Sequence, residues 1–88
     1  MKGANMKDNT KPLETFWRNA EYLQKLRNVS NESLARTIKV SRSTLQEHKA
    51  HPIRTTGAEI IRTSEFFGIK VEQMFLPLIP MDVKNAVI

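Results

Sequence analysis

The sequence predicts an all-α fold built from five helices in one small domain. Apolar residues recur at intervals of three and four over most of the chain, which is the spacing of one helical face. Serine or threonine stands before three of these segments, at Ser30, Ser41 and Thr56, where its hydroxyl oxygen can cap a helix. The 88 residues are 40% hydrophobic, which is enough for one modest core but not for two.

The first helix is expected over residues 12 to 27. Pro12 suits the first turn of a helix, because its missing N–H is not needed there. Apolar side chains then follow at helical spacing, at Leu13, Phe16, Trp17, Ala20, Leu23 and Leu26. Residues 1 to 11 are polar and lack this periodicity, so we expect them to form a flexible basic arm.

The second and third helices are expected over residues 31 to 38 and 42 to 49. Leu34, Ala35 and Ile38 fall on one face of the second helix. Because Ala35 is small, it lets the two helices cross closely at a tight turn. The two helices should therefore share a small core.

The side of the third helix that turns away from this core is polar. Val40 and Leu45 can point back at the second helix, and with Leu45 turned inward the opposite side of the third helix faces solvent. Four side chains lie on that side: Arg42, Ser43, Gln46 and Glu47. Since they have no role inside the domain, we expect this face to recognise a partner.

The fourth helix should lie between Thr56 and Gly68. Thr56 and Glu59 have the spacing of a capping box, and Gly68 can end the helix. The third helix ends before it at Pro52, since proline disfavours a helical conformation at the preceding residue. The buried side of the fourth helix is expected to comprise Ile60, Ile61, Ser64, Phe67 and Ile69.

A short fifth helix is expected over residues 71 to 76, followed by an apolar tail over residues 77 to 88. Pro77 and Pro80 interrupt the tail, which is too punctuated for a long helix. The tail could fold back over the helices, or it could pair with the same segment of a second copy.

Composition limits the chemistry open to the chain. It has no cysteine, which excludes disulfides and thiolate metal sites. It has no apolar run of about 18 residues and no signal-peptide pattern, so we expect a cytoplasmic protein without a membrane span. Fourteen Lys and Arg against nine Asp and Glu give a net charge of +5, which suits a polyanionic partner, although many small domains are this basic for solubility alone.

The sequence carries no motif for catalysis. Its three glycines are isolated, so it has no glycine-rich loop for phosphate. His48 and His51 lie one helical turn apart, but no third metal ligand follows at a recognisable interval. We expect no enzymatic activity, no metal, no cofactor and no small-molecule ligand, and we interpret His48 as a half-buried packing residue.

Residues 30 to 49, SNESLARTIKVSRSTLQEHK, resemble the helix-turn-helix of the Cro and phage-repressor family, often called the XRE type. The shared pattern is carried by LAxxIxVSRSTL: a Leu-Ala pair, a hydrophobic residue, a turn, Val-Ser, and a polar helix with one inward aliphatic residue. A weaker likeness extends from Leu13 to Leu76, where GIKVEQMFL is similar to the end of the family's fourth and fifth helices. The resemblance implies a compact five-helix DNA-binding domain of the phage-repressor type over residues 12 to 76.

The chain departs from the family pattern at three places. Lys39 stands in the turn where Gly is common, and a left-handed conformation there would cost about 1 kcal/mol. Lys49, Ala50 and His51 replace the usual Glu-x-Gly at the end of the third helix. His48 occupies a position that is normally aliphatic and inward.

The resemblance implies roles for the exposed side chains. Contacts with DNA bases would come from Arg42, Ser43, Gln46 and Glu47, and Arg42 could bond O6 and N7 of guanine together. Glu47 could accept from a cytosine amino group, or it could orient Arg42 or Lys49. Contacts with phosphates are expected at the amino ends of the second and third helices, with help from Asn31, Lys39, Ser41, Thr44, Arg54 and Thr55. The basic arm could lie in a neighbouring groove or remain a solvated tail.

These expectations together describe a phage or prophage repressor or Cro-like transcriptional regulator. It would bind double-stranded DNA as a homodimer on an operator with two half-sites, because one reading helix covers only a few base pairs. Dimerisation would use Met74, Phe75, Leu78, Ile79, Val83, Val87 and Ile88. The alternative is a protein-binding module on the same fold, such as an antirepressor or antitoxin whose partner is a regulatory protein.

Overall fold

The computed structural model describes the backbone of residues 2–77 and the side chains of residues 10–77. This part of the chain is all-helical and contains no strand, so the all-α prediction is confirmed. The helices are α1 (Lys2–Arg27), α2 (Asn31–Ile38), α3 (Arg42–Ala50), α4 (Gly57–Phe67) and α5 (Val71–Met74), with a short 3-10 helix at Pro52–Arg54 between α3 and α4. No helix in the described chain is both long enough and apolar enough to cross a membrane.

Helix α1 is longer than the sequence predicted. It begins at Lys2 and holds Pro12 in its interior, so the expected start at Pro12 is wrong and the backbone of residues 2–11 is helical rather than an irregular arm. Pro12 removes one hydrogen bond from this helix. The turns before it nevertheless extend a helix that later residues nucleate, and extension is far less costly than nucleation.

The inner face of α1 supplies a large part of the core. Phe16, Trp17, Ala20 and Leu23 are buried, as their spacing predicted. Leu26 is 60% exposed, so its predicted burial is wrong. Gln24, in the same last turn, takes the inward position instead and donates to the carbonyl of Val29, with 3.2 Å between Nε2 and the oxygen.

Capping groups fix both ends of the turn between α2 and α3. The Oγ of Ser30 accepts from the N–H of Ser33 at 3.0 Å, and the Oγ of Ser41 accepts from the N–H of Thr44 at 3.0 Å. Lys39 ends α2 in the left-handed conformation, with φ 66° and ψ 43°. Both predicted caps are therefore confirmed, and the turn needs the conformation that is costly for lysine.

The core between α2, α3 and α4 follows the predicted pattern in its centre. Leu34, Ala35, Ile38 and Leu45 are all buried, and Val40 packs against them from the turn. Helix α2 contacts both α3 and α4, so it lies between them.

Helix α4 has the predicted capping box and the predicted end. The Oγ1 of Thr56 accepts from the N–H of Glu59, and the Glu59 carboxylate accepts from the N–H of Thr56, both at 3.2 Å. Gly68 closes the helix at φ 70°. Ile61 is 51% exposed, so its predicted burial is wrong, because other residues of α4 form its inward face. These inward residues are Ile60, Thr63, Ser64 and Phe67.

Helix α5 ends at Met74, earlier than predicted, and is held against α1 by a buried amide. The Nδ2 of Asn19 donates to the carbonyl of Met74 at 2.8 Å and to the carbonyl of Leu76 at 2.7 Å. The rings of Phe16 and Phe75 also meet, with 5.5 Å between their centroids. The end of the described chain is thus anchored to the first helix.

Lys39→Gly should stabilise the fold. Glycine adopts positive φ without the clash that lysine suffers, so we expect a gain of about 1 kcal/mol in the free energy of unfolding, measured with urea. Lys39→Ala is the matched control, because it removes the charge but keeps the strain. Gly68→Ala should lower the free energy of unfolding by a similar amount, because position 68 also needs positive φ. An added Cβ there meets nothing within 4 Å, so this loss would come from the backbone conformation and not from a clash with neighbours. Equal stabilities for the Gly and Ala variants at position 39 would contradict this account.

Candidate nucleic-acid interface

The outer face of α3 is polar and opposite to the buried side of the helix. Leu45 is 1% exposed and anchors the helix in the core. The four side chains predicted to face outward, Arg42, Ser43, Gln46 and Glu47, are all exposed. Their predicted exposure is confirmed, and their contact with bases stays a prediction.

The amino end of α3 offers backbone and hydroxyl donors beside this face. The N–H of Leu45 makes the first intrahelical bond, to the carbonyl of Ser41, and the N–H of Thr44 is capped. The N–H groups of Arg42 and Ser43 precede that bond and have no partner within the helix. The Oγ1 of Thr44 accepts from the Oγ of Ser41 at 2.8 Å, which leaves the Thr44 hydrogen to donate elsewhere.

Exposed cations lie on both sides of the turn between α2 and α3. The side chains of Arg36, Lys39 and Arg42 are all exposed. Arg36 lies 3.6 Å from Glu32 one turn earlier in α2, and because both side chains are largely in solvent this ion pair is weak. The surface around the turn is therefore positive.

Arg54, predicted to contact phosphate, forms an ion pair with Glu47. Its Nη1 contacts the Oε2 of Glu47, and the two side chains are 58% and 48% exposed. The sequence left open that Glu47 orients Arg42 or Lys49. In the structure Glu47 contacts Arg54 instead. The pair lies at the edge of the outer face of α3.

Thr55, the other predicted phosphate ligand of this loop, is turned toward the core. Its Oγ1 accepts from the indole Nε1 of Trp17 at 2.7 Å and its side chain is partly buried. Because Trp17 is almost fully buried, this bond satisfies an indole N–H that would otherwise lack a partner. The role of Thr55 is to pin the loop after α3 to helix α1.

Lys49 does not lie on the outer surface but reaches back to α1 and α2. Its Nζ donates to the Oε1 of Gln24 at 2.6 Å, to the Oδ1 of Asn31 at 2.8 Å and to the Oε2 of Glu21 at 3.4 Å. Three ammonium hydrogens thus meet three acceptors. Lys49 therefore ties the last turn of α3 to both preceding helices.

This contact also fixes the side-chain amide of Asn31, at the start of α2. Its Oδ1 accepts from Lys49 and from the Nε2 of Gln24, the latter at 3.0 Å. Since the lysine ammonium can only donate, the oxygen of Asn31 must face it. The Nδ2 of Asn31 remains as the donor, which is the group that a predicted phosphate contact would use.

Burial changes the acid–base behaviour of Lys49. The side chain is 10% exposed and lies between two shallow clefts, the larger of about 350 Å³. Desolvation by burial lowers the pKa of Lys49 below its ordinary value; the positive charge of Lys25 lowers it further, whereas the carboxylate of Glu21 acts in the opposite direction. The ammonium is therefore less favoured in the folded chain than in the unfolded one.

His48 links α3 to the amino end of α4. Its Nδ1 lies 2.8 Å and 2.9 Å from the two carboxylate oxygens of Glu59, which is 3% exposed. The imidazole and the buried carboxyl group are thus joined by a hydrogen bond at Nδ1. The predicted half-burial of His48 is confirmed, but a hydrogen bond to a buried acid replaces simple packing. In the described chain no group of three or more acidic, histidine or cysteine side chains could hold a metal ion.

Two of the predicted dimerisation residues, Met74 and Phe75, belong to the described chain. Met74 is fully buried in the core of its own chain, so it is corrected to a core residue. Phe75 is partly buried and packs against Phe16, which leaves only part of its ring exposed. The others, Leu78, Ile79, Val83, Val87 and Ile88, lie outside the described residues.

Comparisons with protein-family models, with curated proteins and with solved structures found no match to this chain.

Sequence reasoning missed the polar side chains that position α3. Gln24 and Lys49 each stand four residues after a buried apolar residue of the same helix, and His48 stands three after one. A polar residue at an inward helical position was the available signal. The acceptors of Lys49 lie 18 to 28 residues away, and Glu59 lies 11 residues from His48, so no local pattern identifies these partners.

The Lys49→Met variant should remove a pH-dependent term from folding stability. The pKa of Lys49 is lower in the folded chain than in the unfolded chain. At pH values between these two pKa values, the unfolded chain therefore binds more protons than the folded chain. The free energy of unfolding of the wild type should therefore rise, relative to Lys49→Met, as the pH is raised from neutrality toward the ordinary lysine pKa of 10.5. Urea unfolding of both proteins across this range measures the difference.

Lys70→Met, at an exposed lysine, controls for the loss of one positive charge. A difference between wild type and Lys49→Met that stays flat or falls with pH would show that burial does not disfavour the ammonium.

Proposed function

We propose that this chain is a sequence-specific transcriptional regulator of the phage-repressor type that binds double-stranded DNA with helix α3. The observation that carries the proposal is the division of α3 into an anchored face and an open one. Leu45 and Lys49 hold the helix from inside, while Arg42 and the polar residues beside it are exposed on the opposite side. A helix held in this way can enter a major groove without rearrangement.

The proposed reading end of α3 is its first turn. In a helix-turn-helix, the amino-terminal residues of the second helix contact base edges. Arg42 opens α3 and is exposed, so its guanidinium could bond O6 and N7 of a guanine. Ser43 and Gln46 would contact adjacent positions, and each could donate or accept.

Phosphate contacts would set the orientation of the complex. The open N–H groups at the start of α3 and the Nδ2 of Asn31 at the start of α2 are donors, and helix amino ends attract anions. Lys39, in the turn before α3, adds a positive charge. With the chain's net charge of +5, these groups support a salt-dependent association with a polyanion.

Homodimerisation is part of the proposal. A nine-residue helix covers only a few base pairs, so two copies on a two-fold operator would combine their contacts. The half-sites would then lie about 34 to 36 Å apart, or one turn of DNA.

Selection of bound fragments from a random duplex pool tests the proposal directly. We expect a motif with two related halves one DNA turn apart. Arg42→Ala should lose preference at one base pair of each half-site, a discrimination of about 1 to 3 kcal/mol. Its affinity for unrelated duplex should change far less.

Arg36→Ala is the matched control, because Arg36 is an exposed arginine on α2 beside the turn and should keep the preference. A uniform loss across all sequences with Arg42→Ala would make Arg42 a phosphate contact instead.

Deletion of residues 78 to 88 tests the dimer. The variant keeps the Asn19 contacts that anchor the end of α5, so the fold should remain. We expect a lower dimer fraction in sedimentation at equal concentration, and a matching loss of affinity for the two-half-site duplex. An unchanged mass would remove this segment from the dimer contact.

A second candidate function, a protein-binding module such as an antirepressor or antitoxin, is favoured by a different observation. Six large apolar side chains of the described chain are exposed: Leu26, Ile53, Ile61, Phe66, Val71 and Leu76. Apolar surface of this kind suits a protein partner. Absence of all duplex binding at low salt would favour this module over the DNA-binding proposal.

A further inference from the structure

Glu47 and Arg54 form an ion pair. In a complex with DNA, the two side chains would have different partners. Glu47 projects from the outer face of α3, and Arg54 stands in the 3-10 helix that follows. Both side chains are about half exposed, at 48% and 58%. Neither is locked in place by burial, so either can exchange its partner for a group on a ligand.

Their backbones, in contrast, are firmly placed. The N–H of His51 bonds to the carbonyl of Glu47 at 2.8 Å, and the N–H of Arg54 bonds to the carbonyl of His51 at 2.9 Å. The next residue, Thr55, accepts from the buried indole of Trp17. Glu47 and Arg54 therefore stay within reach of each other while their side chains remain free to rotate.

A carboxylate on a surface that meets DNA is unfavourable unless it finds a positive or hydrogen-donating partner. Against unrelated duplex, Arg54 would supply that partner, and the pair would contribute no net charge. Against a base pair that presents an amino group in the major groove, the carboxylate gains a donor, as glutamate does with the N4 of cytosine. An exposed ion pair is weak, so the exchange is readily made.

We propose, on the basis of the proposed DNA-binding function, that Glu47 and Arg54 act as one specificity device. In complexes with unrelated duplex the two side chains stay paired. At a cytosine placed opposite Glu47, the carboxylate accepts from the base amino group and Arg54 is released to a phosphate. Recognition of one base thereby adds one phosphate contact, which unrelated sequences do not receive.

The salt dependence of binding distinguishes this device from a fixed contact. Each phosphate neutralised by a cation contributes about 0.9 to the slope of log affinity against log salt concentration. The experiment measures this slope by fluorescence anisotropy for two duplexes: the one recovered from the random pool, and a scrambled duplex of equal composition. The proteins are the full chain and its Arg54→Gln and Glu47→Gln variants.

Because the dimer carries two copies of Arg54, one for each half-site, we expect Arg54→Gln to lower the magnitude of the slope by about 1.8 on the recovered duplex and to leave it unchanged on the scrambled one. Glu47→Gln should raise the magnitude of the slope on the scrambled duplex by about 1.8, because both copies of Arg54 in the dimer are then free to bind phosphate there as well. The same variant should also lose preference for cytosine at one position of each half-site. Glu65→Gln, an exposed acid on α4, makes the same charge change away from the pair and should reproduce neither effect.

Three results would overturn the proposal. Equal losses of slope on both duplexes with Arg54→Gln would make Arg54 a constant phosphate contact, and no loss on either would mean that the pair stays closed. A rise with Glu65→Gln equal to that with Glu47→Gln would reduce the effect to net charge. Failure of the wild type to bind any duplex at low salt would instead overturn the proposed DNA-binding function itself.

Discussion

The structure depends on how a helix of nine residues is held in one orientation. An isolated helix of that length is not stable in water, so its neighbours must supply its stability. Three inward residues do this through different contacts. Leu45 packs into the core, His48 bonds to Glu59 of α4, and Lys49 bonds to both α1 and α2.

Apolar packing holds α3 against the core, and the polar contacts also fix its orientation. The hydrophobic effect that holds a leucine in a core is not directional, so by itself it specifies the orientation of a helix less sharply than a hydrogen bond does. An ammonium that meets three acceptors, or a histidine that meets a carboxylate, is satisfied only in one geometry. The burial of Lys49 opposes its charge, so this link contributes less stability than its number of bonds suggests. Its main effect is to fix the angle of α3.

Local signals in the sequence were sufficient to predict the middle of the fold. The caps at Ser30, Ser41 and Thr56 lie where hydroxyl chemistry placed them, and α2 has the predicted bounds. These features depend on residues three or four positions apart, which a sequence displays directly. The exposure of the outer face of α3 followed from the inward position of Leu45 for the same reason.

Features that depend on distant partners were not predictable in this way. Pro12 lies in the interior of α1 because the helix extends back to Lys2. Since proline also suits the first turn of a helix, the sequence around Pro12 does not show this extension. The turn of Thr55 toward the core required knowledge that the indole of Trp17 lies beside it. Arg54 was assigned to phosphate because its neighbours are basic, and its pairing with Glu47 appears only once the 3-10 helix is placed.

Charge counting along the sequence therefore overstates the positive field that the proposed interface presents. Lys49 is turned inward, Arg54 is paired with Glu47, and Arg36 lies beside Glu32. Lys39 and Arg42 are the cations of α2, α3 and the turn between them that face solvent with no ion pair in the described chain. A surface with few open charges attracts unrelated duplex weakly, since nonspecific affinity comes almost entirely from phosphate neutralisation. Under the proposed function, preference for an operator would arise as much from this low background as from the strength of the base contacts.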